Sequence, residues 1–340
     1  MPALAQHRTF QLAGNNRYWI VLKVKSPPFS GAAGDLDIAG PATLRSYPDR
    51  GGPVHQQRRE NLMRRASTCL AVLGLFALGL PAMASAEEIT VSISKFTAKA
   101  VPIPKPGGGS FKGTGNFYGK GAAVEAEYEF EGSGYGATAQ NPKGGIPPIS
   151  AVNFFLPKGT KLHPQGFGKC TEAALKSVGP SACPKNSIAS PIGSVLGEVT
   201  FGSERVPETA TLQAFFGPGG GLLFFTKGSS PVSLEILSSG KYVKAAAPYG
   251  QELKTLVPPV ASVPGAPLAS AKRIKIKAGA AIKKGKTLIP YGTIPKKGLC
   301  PKGGFPIKTE VTFGGSNSFG EFGIPAITKT ATIKTPCPKH

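Results

Sequence analysis

Val124-Glu125-Ala126-Glu127-Tyr128-Glu129-Phe130-Glu131 decides the fold. Apolar side chains hold every even position and glutamates every odd one. An extended chain turns successive side chains to opposite faces, so this stretch is a strand with one dry and one wet face. Ile89-Thr90-Val91-Ser92-Ile93-Ser94 alternates in the same way. Reading outward, strands are predicted over 150–156, 194–201, 209–216, 222–226, 231–237, 272–277, 286–291, 306–313 and 328–334. Gly217-Pro218-Gly219-Gly220-Gly221 separates two apolar runs and reads as a hairpin loop. Helical spacing occurs only at Thr171-Glu172-Ala173-Ala174-Leu175-Lys176. Many short strands with glycine and proline between them make an all-β fold, expected as an Ig-like or jelly-roll-like β-sandwich with one short helix in a disulfide-closed loop.

The chain has 340 residues, and its 40% hydrophobic content is enough for a packed core. No apolar run reaches the ~18 residues that span a bilayer. The longest, Cys69 to Leu80, follows Met63-Arg64-Arg65 and precedes Ala84-Ser85-Ala86. A positive start, a short apolar run and small residues form a secretory signal, with cleavage expected between Ala86 and Glu87. The arginine pair lacks the aromatic residue and leucine of a twin-arginine signal. Cys69 opens the apolar run rather than following it, which argues against lipidation.

A signal opens its chain, so Met63 is expected to be the true start and residues 1–62 not to belong to the native protein. The charge chemistry changes with that boundary: residues 1–62 contain Asp35, Asp37 and Asp49 and six arginines. Residues 87–340 contain no aspartate, two arginines (Arg205 and Arg273) and 28 lysines. The expected product, 87–340, is secreted or cell-wall-associated, with no membrane span. The proline-rich segment 256–270 is either a domain boundary or a strap between sheets, and the roughly 70 residues after it are few for an independent core.

Four cysteines remain after the expected cleavage: Cys170, Cys183, Cys300 and Cys337. An even number in an oxidising compartment implies disulfides. Of the three pairings, the local one, Cys170–Cys183 with Cys300–Cys337, is favoured. A zinc site with His163 is the rival, without any C-x-x-C pair to support it.

Phe154-Phe155-Leu156-Pro157-Lys158-Gly159-Thr160, then His163-Pro164-Gln165-Gly166-Phe167, Cys170 and Cys183-Pro184, resembles a pattern in secreted actinobacterial β-sandwich proteins. There a strand ending in Leu-Pro-x-Gly leads into a cysteine-closed loop with a short helix. Cys300-Pro301-Lys302-Gly303-Gly304-Phe305-Pro306 and Cys337-Pro338 are similar to the end of such proteins. The resemblance implies export and fold, and no activity.

Catalytic chemistry is sparse. A Ser-His-acid triad would have to use His163 and a glutamate, and no G-x-S-x-G occurs. Glu125, Glu127, Glu129 and Glu131 share one strand face, which makes a charge stripe rather than a glycosidase pair. No cofactor motif is present, and the expectation is a non-enzymatic protein. Lys272, Arg273, Lys275, Lys277, Lys283, Lys284, Lys286, Lys296 and Lys297 form a basic patch without an intervening acid. Lysine is a hydrated point charge, so the patch suits loose attraction to anionic wall polymers or lipid headgroups. No nucleic-acid motif accompanies it, so no specific nucleic acid is expected. Part of the patch could instead pair with the glutamate stripe on a neighbouring strand. The alternative is a carbohydrate- or ligand-binding module using exposed aromatics such as Tyr118, Tyr135, Tyr249 or Tyr291.

Overall fold

The computed structural model describes residues 88–106, 108–201 and 204–338. The signal 63–86, the Ala86–Glu87 junction and residues 1–62 lie outside the described residues.

The chain is all-β. Its strands begin with β1 (Thr90–Val101), β2 (Ala123–Ser133), β3 (Ile149–Pro157) and β4 (Lys161–Leu162). After α1 (Glu172–Ser177), the one α-helix among the described residues, come β5 (Gly193–Phe201), β6 (Glu204–Phe216), β7 (Leu222–Ser230), β8 (Glu235–Lys244) and β9 (Tyr249–Leu256). Then follow β10 (Ser270–Ala278), β11 (Ala281–Lys284), β12 (Thr287–Pro290) and β13 (Gly292–Thr293). The last are β14 (Phe305–Phe313), β15 (Ser316–Asn317), β16 (Gly320–Glu321) and β17 (Ile327–Thr335).

Eleven strands form one antiparallel sheet in the order β1-β2-β10-β5-β6-β7-β8-β9-β3-β14-β17. The sheet wraps round until its two edge strands lie side by side, and Thr335 Oγ1 donates to the Ala98 carbonyl at 3.1 Å. The layers expected of a sandwich are therefore two parts of one continuous sheet. Phe96 of β1 meets Phe154 of β3 edge-on at 6.2 Å, and Phe130 of β2 meets Phe313 of β14 at 5.5 Å. Such aromatic pairs add about 0.5–1.5 kcal/mol each beyond the area they bury.

The alternation read in 124–131 is the alternation of the fold. Ala126, Tyr128 and Phe130 are buried inside, while Glu125, Glu127 and Glu129 face the opposite side. Strands β6 and β7 break the pattern, with Ala214-Phe215-Phe216 and Leu222-Leu223-Phe224-Phe225 apolar on both faces. The second face is covered by the Cys170–Cys183 loop, whose α1 buries Leu175 against Phe215, Leu223, Phe225 and Leu237. The Thr171 hydroxyl accepts from Ala174 N at 3.2 Å and caps this helix. Cys300–Cys337 closes the second expected disulfide, joining the chain before β14 to the chain after β17.

One expected strand is corrected and one was missed. Residues 231–234 link β7 to β8, which begins only at Glu235. β9 was not predicted, because Tyr249-Gly250-Gln251-Glu252-Leu253-Lys254-Thr255-Leu256 puts charges where a strand signal needs apolar or β-branched residues.

Residues 257–269 run from β9 across one end of the curled sheet to β10, as a strap. Its end is tied down by Tyr135, whose hydroxyl accepts from Leu268 N at 2.8 Å. Arg205 adds two bonds, donating to the Leu268 carbonyl at 3.2 Å and to Ser270 Oγ at 2.8 Å.

Because neighbouring strands of the sheet are antiparallel, its connections gather at two ends. The strap lies at one end. The connections there include Lys143 with Glu88 and Glu321, and no other described charge. At the opposite end, three lysines lie between β1 and β2, five between β3 and β5 and six between β10 and β14, with Glu172 as the one acid.

Candidate functional site

The inner face of the sheet does not meet itself completely. A cavity of about 320 Å³ runs through the interior. Its wall is built by the inward positions of the strands: Val124, Val152, Phe154, Phe224, Ile274 and Ile276 all line it. Each of these apolar side chains is only partly buried, although each points into the fold. Close-packed cores leave few voids larger than a water. The space also lies at the lower end of the volumes that ligand pockets occupy, about 300–1,000 Å³.

The wall's polar groups include the hydroxyls of Ser238, Thr255 and three tyrosines, and the tyrosines are already hydrogen-bonded. Tyr291 donates its hydroxyl hydrogen to the Gly220 carbonyl at 3.0 Å and is hydrogen-bonded to Tyr242. Burial pushes the Tyr291 phenol up to about 12, and burial raises that of Tyr242 further. Burial likewise raises Tyr128, whose hydroxyl interacts with Thr309. These phenols stay neutral, so the cavity carries no charge inside. The one charged lining residue is Lys99, which is exposed, as is Asn116. Both stand at the lysine-rich end. At the other end, Val257, Pro258 and Val260 of the strap line the cavity.

The nine cations of the expected patch separate into three groups. Arg273, Lys275 and Lys277 stand on the outer face of β10, opposite Glu129, Glu127 and Glu125 of β2. Arg273 Nε reaches Glu129 at 3.1 Å, Lys275 Nζ reaches Glu127 at 3.9 Å and Lys277 Nζ reaches Glu125 at 3.2 Å. From the other side Lys95 and Lys99 of β1 meet the same stripe, Lys95 to Glu127 at 3.1 Å and Lys99 to Glu125 at 2.9 Å. The Lys99 and Lys277 ammonium groups hold the Glu125 carboxyl below its ordinary range, and Lys95 does the same to Glu127. Lys272 pairs with Glu198 at 2.8 Å. The second group, Lys283, Lys284 and Lys286, sits on the exposed β11–β12 hairpin and makes no ion pair among the described residues. The third, Lys296 and Lys297, lies at the cavity's lysine-rich end.

Another expectation changes with the structure. The four tyrosines do not form an exposed platform: Tyr135 and Tyr291 are buried, and Tyr249 packs on Phe155 with ring centroids 5.4 Å apart. Tyr118 lies in a shallow hollow with Phe117, Lys120 and Lys297. Glu208, buried in β6, accepts from Ser229 N and Ser230 N through Oε1 and from Val232 N through Oε2, at 2.9–3.0 Å. Its carboxylate is taken up by the turn between β7 and β8. Among the described residues no three His, Cys, Asp or Glu side chains gather as a metal site. Also among them, no helix is long and apolar enough to cross a membrane.

The cavity is what sequence reasoning missed. Its wall residues carry the same alternation as any core, and the failure of opposite walls to touch leaves no trace in the periodicity. No family profile, curated protein or solved structure matches the chain.

Proposed function

We propose that this chain is a non-enzymatic, exported ligand-binding protein of the cell envelope, and that its interior takes an elongated apolar ligand. The observation that carries the reading is the apolar cavity of about 320 Å³ along the sheet's interior, uncharged within. A linear hydrocarbon chain fits such a space, because it needs length and dispersion contacts rather than hydrogen-bond partners. A sugar would leave its hydroxyls unpaired against Val124, Phe154 and Ile276.

Export is supported by the signal at 63–86 and by the two disulfides, which persist in oxidising compartments. The N-terminus of protein recovered from culture medium is expected at Glu87. The ligand is tested by organic extraction of that protein followed by mass spectrometry, and by titration with a fluorescent fatty acid. About one chain-bearing molecule per protein and saturable probe binding are expected. Native protein free of lipid that also ignores the probe would overturn the reading.

A second reading is loose attachment to anionic wall polymers through Lys283, Lys284 and Lys286. Their exposure on the β11–β12 hairpin without carboxylate partners favours it.

A further inference from the structure

We propose that the lysine-rich end of the sheet is a docking face for an anionic phospholipid bilayer, and that the lumen exchanges a single-chain lipid through it. The exchange step rests on the ligand-binding reading above, whereas the docking face does not.

The lysine-rich end, which we take as the mouth of the cavity, is built by three connections that are far apart in sequence. Gly119 N donates to Pro295 O at 3.3 Å and Ile294 N donates to Lys120 O at 2.9 Å, which joins the β1–β2 loop to the segment before β14. Leu299 lies over Gly159, where its Cδ1 would stand 2.7 Å from an added Cβ, so the β3–β4 turn completes the group. Asn116, Thr160, Ile294 and Pro295 line the cavity at this place. The neighbours of those lining residues are Phe117 and Leu299. They are 45% and 49% exposed; Val178, Ile192, Phe201 and Val263 are exposed to a similar or greater degree elsewhere.

The exposed lysines Lys112, Lys120, Lys158, Lys296, Lys297 and Lys302 lie on these three connections, Lys120 and Lys297 in one hollow with Phe117, and none of the three contains an acid. Basic side chains surrounding exposed apolar ones match an anionic bilayer, where lysines meet headgroups and the apolar groups enter the acyl boundary. Lysine suits this role better than arginine would, since a fluid headgroup layer offers no fixed geometry for a guanidinium fork. The placement also has a direction. Docked in this way, the mouth faces the source of lipid chains and the strap faces away.

The test uses the full secreted protein, vesicles of phosphatidylglycerol or phosphatidylcholine, and a fluorescent fatty acid. The protein is expected to float with anionic vesicles and not with neutral ones. Each lysine removed should weaken binding about fivefold, so Lys112→Ala, Lys120→Ala and Lys296→Ala together should weaken it about a hundredfold. Phe117→Ser with Leu299→Ser should keep a salt-sensitive attraction and slow probe transfer to vesicles at least tenfold. Both variants should still bind probe in solution, which shows that they fold. Unchanged vesicle binding in both variants would overturn the docking face. Equal binding to soluble polyglycerol phosphate would overturn it in favour of a wall polymer. Vesicle docking without any probe uptake by the parent protein would overturn the exchange step and leave the docking face standing.

Discussion

Arg273 Nε donates to Glu129 Oε1 at 3.1 Å across the β10–β2 ladder, so the densest part of the basic sequence spends its charge on the neighbouring strand. The same holds for Lys275 and Lys277 with Glu127 and Glu125. Retention on a cation-exchange resin should therefore depend unequally on residues that add equal formal charge. Lys283→Ala with Lys284→Ala is expected to elute at clearly lower salt. Lys275→Ala with Lys277→Ala should shift elution less, because the local potential there is already compensated. Equal shifts for the two pairs would show that the ladder is open in solution.

The ladder also predicts a pH dependence. Glu125 and Glu127 are held below the ordinary carboxylate value of 4.5 in the fold, by Lys99 and Lys95 first of all. A group depressed in the folded state stabilises it above the unfolded value, and that stabilisation is lost as pH falls through the folded value. The melting temperature is expected to be flat at neutral pH and to fall as pH drops below about 4.5. Replacing both glutamates with glutamine should flatten that fall, with a small stability cost at pH 7, since exposed pairs contribute roughly 0–1 kcal/mol each. A parent and variant with identical acid profiles would assign acid sensitivity to other groups.

The lumen makes a prediction of opposite sign from an ordinary core. A larger side chain in a packed core costs about 1–3 kcal/mol. Val124 faces open space in the cavity and is only partly buried. Val124→Phe is therefore expected to raise stability of the ligand-free protein, by about 1 kcal/mol from the added apolar burial. The same ring occupies the ligand's volume, so affinity for a fluorescent fatty acid should fall at least tenfold. Denaturant unfolding and probe titration on one preparation would check both. A destabilised variant that binds probe normally would mean that the cavity is not where the ligand lies.

How much of this was legible in the sequence depends on whether a residue's partner is close in the chain. The alternation at 124–131 shows directly in β2, and the local cysteine spacing shows in both disulfides. Glu125 to Glu131 and Lys272 to Lys277 were visible as two stripes, and their pairing followed once two strands could be imagined as neighbours. The mouth was not visible. Lys120 and Lys296 are 176 positions apart, and their segments are joined by the bond from Ile294 N to Lys120 O. Strand β9 failed for a related reason: Glu252 is buried there, and a buried charge read alone argues against a strand.

Arg205 and Tyr135 hold the strap, and their removal should open it without unfolding the sheet. The guanidinium lies 5.3 Å from the Tyr135 ring centroid and 3.9 Å from Glu198, nearly buried, while it binds Leu268 and Ser270. Tyr135→Phe removes the acceptor for the part-buried Leu268 N, which should cost about 0.5–1.5 kcal/mol. Arg205→Ala leaves Glu198 with Lys272 as its remaining ion-pair partner, so the cost there is local. Hydrogen exchange is expected to accelerate within 257–269 and to stay slow in β2, β10 and β14. Uniform acceleration would show that the strap and the sheet open as one unit.

The two disulfides should differ in what their loss exposes rather than in size. Cross-link entropy over separations of 13 and 37 residues gives about 3 and about 4 kcal/mol. Cys170–Cys183 holds α1 on the outer face of β6, β7 and β8, where Leu175 covers Phe215 and Leu223. Cys170→Ser with Cys183→Ser should therefore free that face and raise dye binding by exposed apolar surface, with probe binding in the lumen retained. Cys300–Cys337 ties the mouth segment to the end of β17, beside Phe305 and Thr335 of the cavity wall. Cys300→Ser with Cys337→Ser should leave the outer face covered and weaken ligand binding several-fold. The assignment of the mouth to this end of the sheet fails if the first pair, and not the second, impairs ligand binding.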